Sequence, residues 1–138
     1  MRWLIRFPVI YQMIAFLRAR RFVVRGESMM PTILPGERVL VDTLAYRWEP
    51  PQRDDVVLAN HPERPWLVML KRIVAVPDDE VEGRTLGEDE YWLLGDTPEF
   101  STDSRELGPV GRGDLIGRAW WVYWPASAVR RLTTDESG

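Results

Sequence analysis

The feature that most constrains the fold is the run Trp66-Leu67-Val68-Met69-Leu70-Lys71-Arg72-Ile73-Val74-Ala75-Val76. It is apolar on both sides of a two-residue alternation. Asn60-His61-Pro62-Glu63-Arg64-Pro65 precedes it and Pro77-Asp78-Asp79 follows it, both rich in turn residues. Such a run predicts a central strand covered on both faces. The anomaly is Lys71, because lysines are almost never buried without a reason. Alternation puts Met69 and Ile73 on the face of Lys71, with Leu67 and Ala75 beyond, an apolar setting that disfavours the ammonium form. Taken alone, the lysine also fits an edge strand with its amine snorkelling to water.

The rest of the chain reads as shorter strands between turns. Arg21–Arg25, Arg38–Asp42, Asp55–Ala59, Glu90–Leu94 and Leu115–Trp124 are strand candidates, spaced by 11 prolines and 10 glycines that favour turns. Gly83–Asp89 reads as a solvated hairpin tip, Gly95–Gly108 as a long polar loop, and Thr133–Gly138 as a frayed end. The fold class is therefore mainly β, antiparallel sheets behind one N-terminal helix, and 138 residues suffice for one domain with a real core. Residues 1–21 read as the helix, 22–126 as the body and 127–138 as a polar tail.

In the helix, Trp3, Phe7, Ile10, Ile14 and Leu17 recur at steps of four and three and form one apolar face. Pro8 fits a first helical turn. Only 11 residues separate Arg6 from Arg18, about half the length needed for a ~30 Å hydrocarbon layer, which argues against a membrane span. No small-residue cleavage site follows, which argues against a removable signal peptide. Two settings stay open: an interfacial helix with its arginines at lipid headgroups, or a helix packed on its own domain. Along Ala119–Trp124, alternation puts Trp120, Val122 and Trp124 on one face and Trp121 and Tyr123 on the other. One of these faces is core, and the other rests on the helix or on a bilayer.

Charge and composition remove several function classes. A net charge of −3 argues against nucleic acid as partner. The absence of cysteine excludes disulfides, zinc-thiolate sites and a cysteine nucleophile. His61 is the only histidine, in a proline-flanked loop, and a single histidine without cysteine does not make a catalytic zinc site. No cofactor is expected.

What remains is a serine with a lysine. Gly26-Glu27-Ser28-Met29-Met30-Pro31 presents Ser28 in a turn after a strand, where Gly26 permits a sharp change of direction. A neutral lysine can activate a serine hydroxyl, but at pH 7.4 an ordinary lysine is only about one part in a thousand neutral, so it must be desolvated. In Gly95-Asp96-Thr97-Pro98-Glu99-Phe100-Ser101-Thr102-Asp103-Ser104-Arg105, Ser101 is placed to bond the lysine amine. Asp96 and Asp103 are placed to pair with Arg72 and Arg105 and brace the loop. Any one of these residues alone fits an ordinary polar loop.

Together, Ser28-Met29-Met30-Pro31-Thr32, Lys71-Arg72, and Gly95-Asp96 with Ser101 and Asp103-Ser104-Arg105 resemble the three signature boxes of the type I signal peptidases, membrane-linked serine/lysine endopeptidases. Gly117-Arg118-Ala119 and Trp124-Pro125 resemble their closing strand. The resemblance implies compact coiled antiparallel sheets of the signal peptidase/LexA-like type, Ser28 as nucleophile, Lys71 as general base and Ser101 as the hydroxyl orienting it. It implies an oxyanion held by the Ser28 backbone N–H, with Met29 and Met69 as substrate-contacting residues. The implied partner is a protein bearing a leader or propeptide, bound as an extended strand, with a membrane-associated or, alternatively, cytoplasmic location.

Departures are Gly26 where many relatives carry a second oxyanion serine, Thr97 where the family has asparagine, which is read as loosening the loop, and Ala75 and Asp78 in place of glycines. Short length also resembles the nickel superoxide dismutase maturation proteases. Two other readings are a LexA-like self-cleaving regulator and a non-catalytic peptide-binding β module. The first lacks room for a helix-turn-helix before Ser28 and contains no Ala-Gly dipeptide. The second would survive Ser28→Ala.

Overall fold

The computed structural model describes residues 8–132. In chain order it contains helix α1 (Pro8–Arg18), strands β1 (Arg20–Val23) and β2 (Arg38–Asp42), helix α2 (Ala45–Trp48), and strands β3 (Val56–Asn60) and β4 (Val68–Ala75). Strands β5 (Glu80–Val81), β6 (Arg84–Thr85) and β7 (Glu90–Leu94) follow, then helix α3 (Ser104–Leu107) and strands β8 (Val110–Gly111), β9 (Leu115–Trp124) and β10 (Arg130–Arg131). One sheet runs in the order β1-β2-β9-β3-β4-β7-β8, with β10 also on β9, and every pairing is antiparallel. The fold is mainly β, as its pattern of short runs and turns dictates.

Strand β4 is interior, with β3 on one side and β7 on the other. It starts at Val68 because Leu67 still closes the preceding loop, donating to the Arg64 carbonyl at 2.8 Å. Neighbouring β3 residues point into different clusters: Val56 and Leu58 join Val39, Val41, Leu70 and Val122, whereas Val57 and Ala59 join Ile73, Tyr91 and Leu93. Both faces are thus covered, the physical cause of the apolar runs. Register shifts in β4, β9 and β2 bend the strands and coil the sheet.

Several expectations change. Glu82 and Gly83, with positive φ, turn the hairpin between β5 and β6. The segment after it is not wholly solvated, because Leu86 is buried against Ala75 and Trp92. Of the expected polar tail, the described part up to Leu132 is docked: Arg130 and Arg131 pair with Val122 and Trp121, and Leu132 packs on the first cluster. Trp120 and Trp121 both line one groove, since β2–β9 register shifts break strict alternation, and Trp124 is exposed. Trp3, Phe7 and Thr133–Gly138 lie outside the described residues.

Helix α1 is fastened by the Tyr11 hydroxyl, which donates to the buried Asp42 carboxylate, and by Thr43 Oγ1, which donates to the Arg18 carbonyl at 3.4 Å. Ile10, Ile14 and Leu17, the expected apolar face, remain exposed. No helix among the described residues is long and apolar enough to cross a membrane.

Candidate active site

Gly26 adopts φ +76°, a left-handed angle natural to glycine, as the chain leaves β1. A helical turn follows, in which Met30 N donates to Glu27 O at 3.1 Å and Ile33 N to Met29 O at 2.9 Å. Met29 and Ile33 plug this turn into the first core cluster, leaving Ser28 half-buried at the surface. The expectation that Met29 touches substrate is corrected here. At 1% exposure it anchors the turn and has no surface to offer a peptide.

Lys71 comes from the middle of β4, opposite Val57, and is only 6% exposed. Its Nζ donates to Ser101 Oγ at 3.1 Å, and Ser101 Oγ donates to Asp103 Oδ2 at 2.7 Å. A hydroxyl has a single proton. Because Ser101 gives its proton to the carboxylate, its lone pair must face the amine. Asp103 is itself fully buried, and it accepts from Gly95 N at 3.0 Å and Arg105 Nε at 2.9 Å.

Burial lowers the Lys71 pKa, and the Arg105 cation adds to this while the Asp103 carboxylate opposes it. For Asp103, burial pushes the carboxyl up. The hydrogen bonds from Arg105, Ser101 and the Gly95 amide outweigh that and hold it below its usual range.

The loop after β7 is bolted to the Ser28 turn. Arg72 grips Asp96 with Nε and Nη2, both at 2.9 Å, and Asp96 Oδ2 also accepts from Thr32 Oγ1 at 2.6 Å. Thr97 N donates to the Ser28 carbonyl at 2.8 Å, and Thr97 Oγ1 to the Met30 carbonyl at 2.5 Å. Thr97 therefore tightens the loop, contrary to the expectation from sequence. A Cβ at Gly95 would stand 2.4 Å from Ser101 Oγ and 2.8 Å from the Ser28 carbonyl oxygen. The Ser28 backbone and the Ser101 hydroxyl that Lys71 touches thus both border a position that only glycine fits.

Two further supports had no sequence signal. Arg130 Nη2 donates to the Thr32 carbonyl at 2.7 Å and to Glu37 Oε1 at 2.7 Å, while Glu37 Oε1 accepts from Leu34 N at 2.8 Å. These bonds close the far end of the Ser28 turn from a segment that reads as a polar tail. His61 stays apart, its Nδ1 accepting from the amides of Glu63 and Arg64 within its own loop.

Beside Lys71 the sheet has an open edge. β3 pairs with β4 from Val68 to Arg72, but β7 meets β4 only from Arg72 to Ala75. The other edge of Val68–Lys71 has no strand partner among the described residues, and half-buried Met69 lies along it.

Proteins of related sequence are known. A family model described as "Signal peptidase, peptidase S26" matches residues 1–86 and 81–124. Mitochondrial ATP-independent inner membrane protease subunit 1b of Arabidopsis thaliana is 33% identical over 113 residues, spanning 72% of this chain and 67% of that protein. Mitochondrial inner membrane protease subunit 1 of Mus musculus is 31% identical over 123 residues, spanning 82% and 74%. Probable signal peptidase I-2 of Synechocystis is 29% identical over 152 residues, spanning 87% and 69%. With the match extending over nearly all of the sheet and over the segments that carry Ser28, Lys71 and Ser101, the chain belongs to the signal peptidase family, peptidase S26.

Proposed function

We propose that this peptidase is a serine endopeptidase in which Ser28 is the nucleophile, Lys71 the general base and Ser101 the residue that orients Lys71. The observation that carries the reading is the buried chain Lys71–Ser101–Asp103 converging with the Ser28 turn over Gly95. With one N–H of neutral Lys71 committed to Ser101, the nitrogen lone pair is free to take the Ser28 hydroxyl proton. The Ser28 oxygen attacks the peptide carbonyl, and the oxyanion is held by the Ser28 backbone N–H, since Gly26 has no hydroxyl to add. The Lys71 ammonium then protonates the leaving amine, and water hydrolyses the acyl-enzyme.

The substrate is a protein whose leader or propeptide lies as an added strand on the open edge of Val68–Lys71, with cleavage after small residues. Signal peptidases and inner membrane proteases among the relatives support a leader. The exposed apolar side of α1 supports contact with a membrane surface.

The test uses the full chain with leader peptides and maps cuts by mass spectrometry. Ser28→Ala and Lys71→Met are each expected to lower kcat/KM by about 10³-fold or more. In the parent, kcat/KM rises with pH through a limb below the ordinary lysine value. Undiminished cleavage by Ser28→Ala, or a limb at the ordinary lysine value, overturns the assignment.

A further inference from the structure

Charge is unevenly distributed along this chain of net charge −3: residues 1–26 and 115–134 contain arginines but no acidic residue. The fold brings strands from the described parts of these segments into one sheet. Arg21 of β1 lies opposite Leu40 of β2, Leu40 opposite Trp121 of β9, and Trp121 opposite Arg131 of β10, making one row across one sheet face. Arg21 stands 6.0 Å over the Tyr123 ring, Arg131 5.7 Å over Trp121, and Arg38 4.4 Å over Trp124. Among the described residues none of these three arginines is in an ion pair. A guanidinium stacked on a ring keeps its in-plane N–H donors free for an anion. Beneath the row, α1 stands off the sheet and leaves an apolar groove of about 720 Å³ between Val9, Met13 and Phe16 and Leu40, Trp121 and Tyr123. That is the size of a small-molecule site.

We infer that this face binds an anionic phospholipid of the bilayer, with an acyl chain in the groove under α1 and the phosphate held by Arg21 and Arg131. Charge decides the occupant. A leader peptide carries a basic N-terminal region, which these arginines repel. A second copy docked face to face through this same surface would bring arginine against arginine. A lipid anion with an apolar tail satisfies both the cationic rim and the apolar floor. The inference rests on the reading of α1 as a membrane contact and adds the lipid class and its site.

The experiment is vesicle flotation of the full chain, using phosphatidylcholine alone or mixed with phosphatidylglycerol. Tryptophan fluorescence is followed with lipids brominated in their acyl chains. Binding to the phosphatidylglycerol vesicles is expected to be about tenfold tighter or more, and weaker at high salt. Arg21→Gln with Arg131→Gln removes the preference while cleavage of a soluble leader peptide stays unchanged. Brominated phosphatidylglycerol quenches the fluorescence, less so in Trp121→Phe. Equal binding to both vesicles overturns the lipid site but leaves the membrane contact standing. Binding to neither overturns both. A preference that survives the double substitution, or binding without quenching, overturns the assigned residues and groove.

Discussion

Lys71 occupies a position where an apolar side chain suits the sheet better. Its neighbours across and along the strands include Val57 and Ile73, both fully buried. Its folded-state pKa is lowered by burial, so below that pKa the folded protein carries a disfavoured cation that the unfolded chain hydrates freely. This penalty is present at neutral pH and fades as pH rises toward the unfolded value of about 10.4. Lys71→Met should therefore raise the thermal midpoint by a few degrees near neutral pH while abolishing cleavage, with a smaller gain near pH 10. Differential scanning calorimetry across pH checks this, and a lower midpoint at neutral pH would contradict it. Lys71 was legible in the sequence because it interrupts an apolar run. Met29 was misread because an apolar residue beside a serine looks the same whether it faces substrate or core.

Among the elements, the strands with a sequence pattern long enough to register were legible. β2, β7 and β9 fall where alternation or continuous apolarity places them, and β4 is shorter than expected at both ends, with Trp66 and Leu67 left in the preceding loop and Val76 in the following turn. The two-residue strands β5, β6, β8 and β10 carry no periodicity and were not foreseen. β10 matters most for the site, because Arg130 holds both Glu37 and the Thr32 carbonyl behind Ser28. Arg130→Gln leaves Glu37 buried without its cation, a cost of about 1–3 kcal/mol. It should also reduce kcat roughly tenfold with little change in KM, because the turn that aims Ser28 loosens while the open edge of β4 is untouched. Arg130→Lys should recover part of the loss. Urea unfolding alongside steady-state kinetics measures both effects, and a change confined to KM would contradict this account.

For the whole molecule, acid acts first on the Ser28 turn. Hydrogen bonding from Arg130 holds the Glu37 carboxyl below its usual range. Burial raises Asp96 and Asp103, but their partners outweigh it and hold both low. Carboxylates of this kind contribute stability that is present above their unfolded pKa of about 4 and is lost as pH falls through the lowered folded values. All three fasten the same region: Glu37 through Leu34 and Arg130, Asp96 through Thr32 and Arg72, Asp103 through Ser101 and Gly95. Hydrogen exchange under acid should thus release the Ile33, Leu34 and Gly95 amides before the ladders joining β9 to β2 and β3. Simultaneous release of sheet and turn would contradict this.

Pattern along the chain determined the mainly β class, the longer strands and the three stretches that meet at the site, because hydrophobic period and turn chemistry belong to a few adjacent residues. Only the tertiary structure decided that Gly95, Thr97, Glu37 and Arg130 brace Ser28, that Met69 and not Met29 keeps a surface, and that arginines from distant segments share one face. Those outcomes depend on where remote strands bring their side chains, and no local property of the chain encodes it.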